Sequence, residues 1–218
     1  MRRALLACRA TILALLTVLL AALGAHGQTA GTDSTVADLF QSSYALEARR
    51  DYRGALAKAQ TVLEREPDDY VAQLRIGWLL YLNSRYAESS AAYRKAVRLA
   101  PEAVEPRLGL MLPLMAARQH QEALTAADSV LELDPGNLTA RSRKAYTLYL
   151  LGRYTKAETQ YREVLKRYPS NVDMMSGLGW TLLKRGQRAQ AQAVFEKLLR
   201  VSPTHSLGRS GLAECRQP

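Results

Sequence analysis

The sequence predicts an all-α protein built by repetition of one pair of helices. Five prolines lie 34 residues apart, and a fixed period of this length is typical of solenoid repeats: Pro67, Pro101, Pro135, Pro169 and Pro203. Between the prolines, apolar residues recur every three or four positions, which is the spacing of one buried helix face. The chain has 218 residues, of which 48% are hydrophobic and 23% charged. This composition excludes a globally disordered chain.

Residues 1–27 have the pattern of a secretory signal and are not expected to belong to the fold. Three arginines give this segment a positive start, residues 10–23 are almost wholly apolar, and the small residues Ala25 and Gly27 are spaced like a signal-peptidase site. The alternative is an uncleaved anchor, but 14 apolar residues are short against the roughly 17–25 that span a bilayer. We therefore expect an exported protein, periplasmic or secreted, and the excess of arginine over lysine favours a bacterial envelope.

A polar linker, residues 28–35, leads into the repeated units. The second half of each unit is predicted to be a helix that ends at the repeated proline. In the last unit the apolar residues of this helix fall on one face: Ala191, Val194, Phe195, Leu198 and Leu199. Proline ends the helix because it lacks an N–H donor and restricts the residue before it.

The first half of each unit is predicted to be a second type of helix, represented by the stretch VAQLRIGWLLYLNS. Gly77, Ala145 and Gly179 occupy the same position in three of these helices. A small residue there allows the two helices of a unit to approach closely. Each unit is therefore expected to be a helix–turn–helix pair.

The complete pattern resembles the tetratricopeptide repeat (TPR), which has a small residue at its eighth position, alanine at its twentieth, an aromatic residue at its twenty-fourth and proline at its thirty-second. The resemblance implies a right-handed α-solenoid of five repeats with these bounds: 36–69, 70–103, 104–137, 138–171 and 172–205. Residues 206–218 resemble the start of a sixth repeat. We expect them to form a capping helix over the last hydrophobic edge.

Two units depart from the family pattern. In the third unit Met111 replaces the small residue, and Pro113 lies inside the first helix, where it predicts a kink. In the fourth unit Arg141 and Lys144 stand where the family packs apolar side chains. Either that helix is locally rotated or the two long side chains extend outward past the core.

The resemblance also implies a concave groove lined by the second, fifth, ninth and twelfth positions of the first helices. These positions are mainly apolar and aromatic, which suits a partner peptide: Phe40, Tyr44, Leu74, Trp78, Tyr81, Leu108, Leu112, Met115, Tyr146, Tyr149, Trp180 and Leu183. The alternative is that part of this stripe packs between neighbouring repeats. The ninth positions carry no asparagine and the second positions no lysine, so the family's clamp for a partner's C-terminal carboxylate is absent.

Charge is divided unevenly along the chain. Residues 28–137 carry 12 basic and 15 acidic side chains, whereas residues 138–218 carry 15 basic and 5 acidic ones. We select six basic residues of the second part as a candidate patch for an anionic partner: Arg141, Arg143, Lys144, Lys184, Arg185 and Arg188. The alternatives are a solvated face, peripheral contact with a membrane, or head-to-tail association with the acidic half. Nucleic acid is not expected, because the sequence contains no recognition-helix module or aromatic strand platform.

An enzyme is not expected. The sequence has no GxxxxGK phosphate loop, GxSxG elbow or HExxH helix. His120 stands where three sister repeats have tyrosine, which indicates packing at a helix turn. Two cysteines and three widely spaced histidines give no basis for a metal site, and no cofactor is expected.

These inferences predict an exported scaffold that binds a partner polypeptide in its groove, in the assembly of an envelope complex. The alternative is a structural protein that self-assembles through its acidic and basic halves into homo-oligomers. Membrane contact is expected only through an uncleaved signal or a peripheral surface. The partner itself is not encoded in any motif that we identify.

Overall fold

The structure, a computed structural model, describes residues 34–217. The predicted secretory signal lies outside the described residues. The packing described below lies within the compact unit that begins at residue 39. Residues 34–217 form eleven helices and no strand: α1 Val36–Ala48, α2 Tyr52–Arg65, α3 Tyr70–Leu82, α4 Tyr86–Leu99, α5 Glu105–Ala116, α6 His120–Leu133, α7 Leu138–Leu150, α8 Tyr154–Arg167, α9 Val172–Lys184, α10 Arg188–Val201 and α11 Ser206–Cys215.

Successive helices from α2 onward pack against each other, and each odd-numbered helix from α3 also packs against the next odd-numbered one. The odd-numbered helices are the first helices of the predicted units. The helix pairs therefore stack as a solenoid in which the first helices form a continuous layer. The final helix α11 packs on α9 and α10 at the C-terminal end. This arrangement confirms the predicted all-α solenoid.

The prolines end the second helices as the sequence predicts. The residue before each proline is the C-cap, its φ lies between −127° and −137°, and its N–H still donates to the carbonyl four residues earlier. Polar side chains then begin the next helix. Asp69 accepts from the N–H of Ala72 at 2.6 Å, and Asn171 accepts from that of Met174 at 3.1 Å.

The eighth and twentieth positions of each unit meet where its two helices cross, and both are buried. In two units a serine hydroxyl binds a carbonyl across this crossing. Ser43 Oγ donates to the Ala55 carbonyl at 2.8 Å, and Ser89 Oγ donates to the Gly77 carbonyl at 2.7 Å. The serine lies on the first helix in one unit and on the second helix in the other, so either helix can supply it.

The departures in units three and four are accommodated in different ways. Met111 is fully buried, and α5 continues past Pro113 to Ala116, so the proline does not end the helix. Arg141 Nη2 donates to the Pro135 carbonyl at 2.8 Å, and Lys144 Nζ lies 2.5 Å from Asp128. Both long side chains therefore reach acceptors outside the apolar core.

Consecutive units are joined by a large side chain from one of two positions. Tyr93, Tyr161 and Phe195 stand at the twenty-fourth position of their units, and each of their rings packs against a glycine at the sixth position of the next unit. A Cβ added to that glycine would lie 2.2 to 2.4 Å from the ring: Gly109, Gly177 and Gly211. Where the twenty-fourth position is alanine, the next sixth position is arginine instead: Ala59 with Arg75, and Ala127 with Arg143.

Candidate functional site

The layer of first helices contains two open cavities. The N-terminal cavity has a volume of about 750 Å³, and its lining includes Tyr44, Glu47, Leu74, Arg75, Trp78 and Glu105. The C-terminal cavity has a volume of about 440 Å³, and its lining includes Tyr146, Tyr149, Tyr161, Asp173, Gly177 and Trp180. Both cavities are built mainly from first helices, which the resemblance assigned to the groove.

The predicted groove residues divide between these cavities and the packing around them. Six line a cavity: Tyr44, Leu74, Trp78, Tyr146, Tyr149 and Trp180. Leu108 and Met115 belong to the third unit and pack beside the buried Met111 and Leu114. Along the chain, this unit lies between the units that build the two cavities. The other four are half-buried and line neither cavity: Phe40, Tyr81, Leu112 and Leu183.

A buried arginine organises the N-terminal cavity. Arg75 is 6% exposed, and its guanidinium carbon lies 3.6 Å from the centre of the Tyr44 ring. Its Nε donates to Ser43 Oγ at 2.7 Å, and its Nη1 forms an ion pair with Glu47 at 2.9 Å. The other Glu47 oxygen accepts from Trp78 Nε1 at 2.7 Å. One carboxylate therefore holds both the cation and the indole in position.

The C-terminal cavity has aromatic walls and little internal polar pairing. The Tyr146 and Tyr149 rings stack with centroids 6.5 Å apart, and Trp180 packs edge-on against Phe195 at 5.8 Å. Trp180 Nε1 is buried and has no hydrogen-bond partner. Burial raises the pKa of Tyr149 and that of Tyr161, so both phenols stay neutral and can act as donors.

The rims of the two cavities expose aromatic and apolar surface. Tyr44 is 55% exposed and Tyr146 is 47% exposed, and Leu207 at the start of α11 is 55% exposed beside the C-terminal cavity. His205 also lines this cavity, and its Nδ1 accepts from the N–H of Gly208 at 3.1 Å, which begins α11. The last first helix therefore completes the wall of the C-terminal cavity.

Apart from tyrosines, sequence reasoning missed the polar residues that line the two cavities: Glu47, Arg50, Arg75, Glu105, Asp173, Ser176 and His205. It also missed Gly177, whose missing side chain admits the Tyr161 ring. Reading the sixth positions down the repeats would have found two of them. From the second unit onward these positions hold Arg75, Gly109, Arg143, Gly177 and Gly211, and a glycine inside a helix indicates that something packs closely against it.

The six candidate basic residues lie on α7 and around the turn between α9 and α10. Most of them bind acceptors within the chain. Arg143 Nη1 donates to the Leu108 carbonyl at 2.6 Å, and burial lowers the pKa of Arg143. Arg185 binds Glu158, and Arg188 binds the Gln217 carbonyl. Lys184 is exposed. A shared role in binding an anionic partner stays a prediction.

Within residues 34–217, no three side chains of the metal-ligating types converge on one point. In the same part of the chain, no helix is long and apolar enough to cross a membrane.

Comparison with protein families finds two profiles of the tetratricopeptide repeat. One matches residues 41–104, and the other matches residues 114–172 and 148–215. Together the matches cover most of the described chain. No curated protein matches the sequence.

Solved structures with the same fold are TPR proteins and related chains of low sequence identity. YrrB, described as a TPR protein with an unusual peptide-binding site, has a TM-score of 0.69 at 21% identity over 83% of this chain and 93% of its own. A tetratricopeptide repeat protein from Parabacteroides merdae has a TM-score of 0.76 at 17% identity, covering 83% and 72%. MamA from Desulfovibrio magneticus has a TM-score of 0.73 at 15% identity, covering 78% and 97%.

Proposed function

Since this chain belongs to the tetratricopeptide repeat family and is a protein-interaction scaffold, we propose that it binds a partner polypeptide along the layer of first helices. The partner would place side chains in the N-terminal and C-terminal cavities at once. It would cross the third unit, which supplies the apolar residues Leu108 and Met115. Binding at equilibrium, without chemical turnover, is the proposed activity.

The observation that carries this proposal is the pair of open aromatic cavities built from equivalent positions of the repeat. Tyr44 and Tyr146 are both ninth-position residues, and about half of each side chain is exposed. Large aromatic residues at the edge of a cavity concentrate binding energy because they bury much surface with few rotatable bonds. Peptide recognition by an extended groove favours such spaced anchors. The peptide-binding site named for YrrB also supports this kind of ligand.

The proposed compartment is the bacterial envelope, where the scaffold would support the assembly of a larger complex. The support is the sequence of residues 1–27, with its positive start, apolar stretch and small-residue site. Cell fractionation and N-terminal sequencing of the mature protein test this point. We expect an envelope protein that begins near residue 28, and an intact cytoplasmic chain would contradict the proposal.

Site-directed photocrosslinking tests the proposed groove. A benzoylphenylalanine is placed at Tyr44, at Tyr146 or, as a control, at Tyr168, and the protein is irradiated in its native cells. Tyr168 is 48% exposed at the end of a second helix, so it matches the other two in type and exposure. We expect one partner to crosslink from both groove positions and not from the control. A partner captured only from position 168 would assign binding to another face.

The variant Tyr44→Ala/Tyr146→Ala provides the complementary measurement. Both side chains are about half exposed, but the Tyr44 ring also stacks on the buried Arg75, so circular dichroism first establishes that the variant is folded. We expect it to lose the partner in a pull-down, whereas Tyr168→Ala retains it. Retention of the partner by the folded double variant would contradict the groove assignment.

A further inference from the structure

The two cavities are repeat-related copies of one arrangement, separated by three units. Tyr44 corresponds to Tyr146 at the ninth position, and Trp78 corresponds to Trp180 at the ninth position of the following unit. The two ninth-position aromatic residues are therefore the same in both cavities. The polar groups differ between the two cavities, and this difference indicates which ligand the C-terminal cavity would bind.

In the N-terminal cavity the chain supplies its own cation and its own acceptor. The Arg75 guanidinium lies over the Tyr44 ring at 3.6 Å, and Glu47 accepts from Trp78 Nε1 at 2.7 Å. The positions that correspond to Arg75 and Glu47 three units later are Gly177 and Tyr149. The C-terminal cavity therefore lacks both the internal guanidinium and the internal acceptor.

One consequence of these replacements is visible. Trp180 Nε1 is buried without a hydrogen-bond partner, although the corresponding Trp78 Nε1 has one. A buried donor without a partner is unfavourable, so the pairing between indole and carboxylate in the N-terminal cavity is not reproduced here. Tyr146 is 47% exposed at the edge of the C-terminal cavity, much as Tyr44 is 55% exposed at the N-terminal one, but no guanidinium of the chain covers the Tyr146 ring.

We propose that the C-terminal cavity binds an arginine side chain of the partner polypeptide, with its guanidinium stacked on Tyr146 and with Asp173 of the same lining as its counter-charge. The ligand would thus supply the cation that the chain itself supplies in the N-terminal cavity. This inference rests on the proposed function and names the chemistry of its partner.

The charge and shape of the cavity fit this occupant. Asp173 is the acidic residue of the lining, and no lysine or arginine lines the cavity. A guanidinium is planar and weakly hydrated, so it stacks on an aromatic face more readily than an ammonium does. The Tyr161 ring occupies the space beside Gly177, and the remaining walls are the aromatic faces of Tyr146, Tyr149 and Trp180.

Tryptophan fluorescence tests the proposal directly. The chain contains two tryptophans, so the full chain carrying Trp78→Phe leaves Trp180 as the reporter of the C-terminal cavity. The probe is the peptide acetyl-Gly-Arg-Gly-amide, compared with peptides in which citrulline or glutamate replaces arginine. Citrulline keeps the shape of arginine without its charge. We expect saturable binding of the arginine peptide at millimolar concentrations or below, and about tenfold weaker binding of the citrulline peptide.

A variant that fills the cavity from within provides the structural control. Tyr161→Ala/Gly177→Arg copies the Ala59 and Arg75 pair of the N-terminal interface. We expect this variant to remain folded by circular dichroism and to lose arginine-peptide binding. The matched control Tyr93→Ala/Gly109→Arg makes the same exchange between units two and three, in the lining of the N-terminal cavity and away from Trp180. It should leave the binding of the arginine peptide reported by Trp180 as before.

The outcomes separate this inference from the proposed function. Equal affinity for the arginine and citrulline peptides, or no saturation by either, would overturn the arginine site. Tighter binding of the glutamate peptide would make the cavity an anion site and would also overturn it. The photocrosslinks from Tyr44 and Tyr146 would still report partner binding in these cases. If the arginine peptide binds but no partner crosslinks from position 44 or position 146, the proposed groove is overturned.

Discussion

Tyr93 and Gly109 meet across the boundary between the second and third units, and a Cβ on Gly109 would lie 2.2 Å from the Tyr93 ring. The glycine is therefore required by the aromatic residue of the preceding unit. The same relationship joins Tyr161 to Gly177 and Phe195 to Gly211. Because the last pair attaches α11 to the array, it also holds one wall of the C-terminal cavity.

Gly109→Ala should destabilise the fold because the new methyl group overlaps the Tyr93 ring. Overpacking of this kind costs about 1–3 kcal/mol, and the better helix propensity of alanine returns up to about 1 kcal/mol. We expect a loss of about 1–2 kcal/mol in the free energy of unfolding, measured by urea denaturation. Gly136→Ala is the control, since its nearest neighbour is the Asp134 side chain at 3.4 Å. An equal change in both variants would contradict the packing argument.

Glu47→Ala should destabilise the first two units by more than the removal of an exposed ion pair would. The substitution leaves the Arg75 guanidinium buried without its carboxylate and Trp78 Nε1 without its acceptor. Since the Glu47 side chain is 24% exposed, we expect about 2–3 kcal/mol, below the range for a fully buried pair. Glu88→Ala breaks the exposed Arg85–Glu88 pair and should change stability little. A similar effect of the two variants in urea denaturation would contradict the network.

The repeat period predicts the helix pairs, the proline stops and the all-α solenoid because each depends on local spacing and backbone chemistry. Together with the family resemblance it also leads to the ninth-position aromatic residues of both cavities: Tyr44, Trp78, Tyr146 and Trp180. The same reasoning does not find Arg75, because a basic residue on a first helix is ordinarily expected at the surface. Here it is buried by Tyr44, Ser43 and Glu47 of α1, the first helix of the preceding unit. Such contacts between units depend on two residues at once, and the period describes only one position at a time.

Strong alkali should destabilise the protein through Tyr70 and Tyr93. Burial is the main cause that raises the pKa of each phenol to about 12. For Tyr70 the hydroxyl also donates to Glu105 Oε2 at 2.7 Å, which raises its pKa further. Between pH 10 and 12 these phenols ionise in the unfolded chain but not in the folded one, so the unfolded state binds fewer protons and stability falls as the pH rises. We expect Tyr70→Phe to flatten this decline, measured as Tm against pH. An unchanged slope in the variant would contradict the assignment.

Cys215, the cysteine within the described part of the chain, should react slowly. It packs against the C-terminal core, and burial raises the pKa of its thiol. Since the thiolate is the nucleophile, alkylation by iodoacetamide at pH 8 should be slower than in the unfolded chain. The measurement uses the Cys8→Ser variant with and without urea, so that one thiol reports. Equal rates in both states would contradict the shielding of Cys215.

The turn between the two helices of each unit places one residue in the left-handed region, and the five units fill it differently. Gly152 and Gly186 have φ of +70° and +74°, whereas Arg50, Ser84 and Arg118 hold φ near +60°. Nothing lies within 4 Å of a Cβ added to Gly152, so Gly152→Ala tests the backbone conformation alone. An L side chain in this region costs roughly 1–2 kcal/mol, and we expect a loss of that order in the free energy of unfolding.

Arg118→Gly makes the opposite exchange at the equivalent turn of the third unit. Glycine removes the strain of the left-handed conformation but increases the conformational entropy of the unfolded chain, so the two effects oppose each other. We expect stability to stay level or rise slightly, in contrast with the loss caused by Gly152→Ala. Urea denaturation of both variants beside the wild type provides the comparison. Destabilisation of the Arg118→Gly variant by as much as the Gly152→Ala variant would mean that side-chain contacts, and not φ, determine this turn.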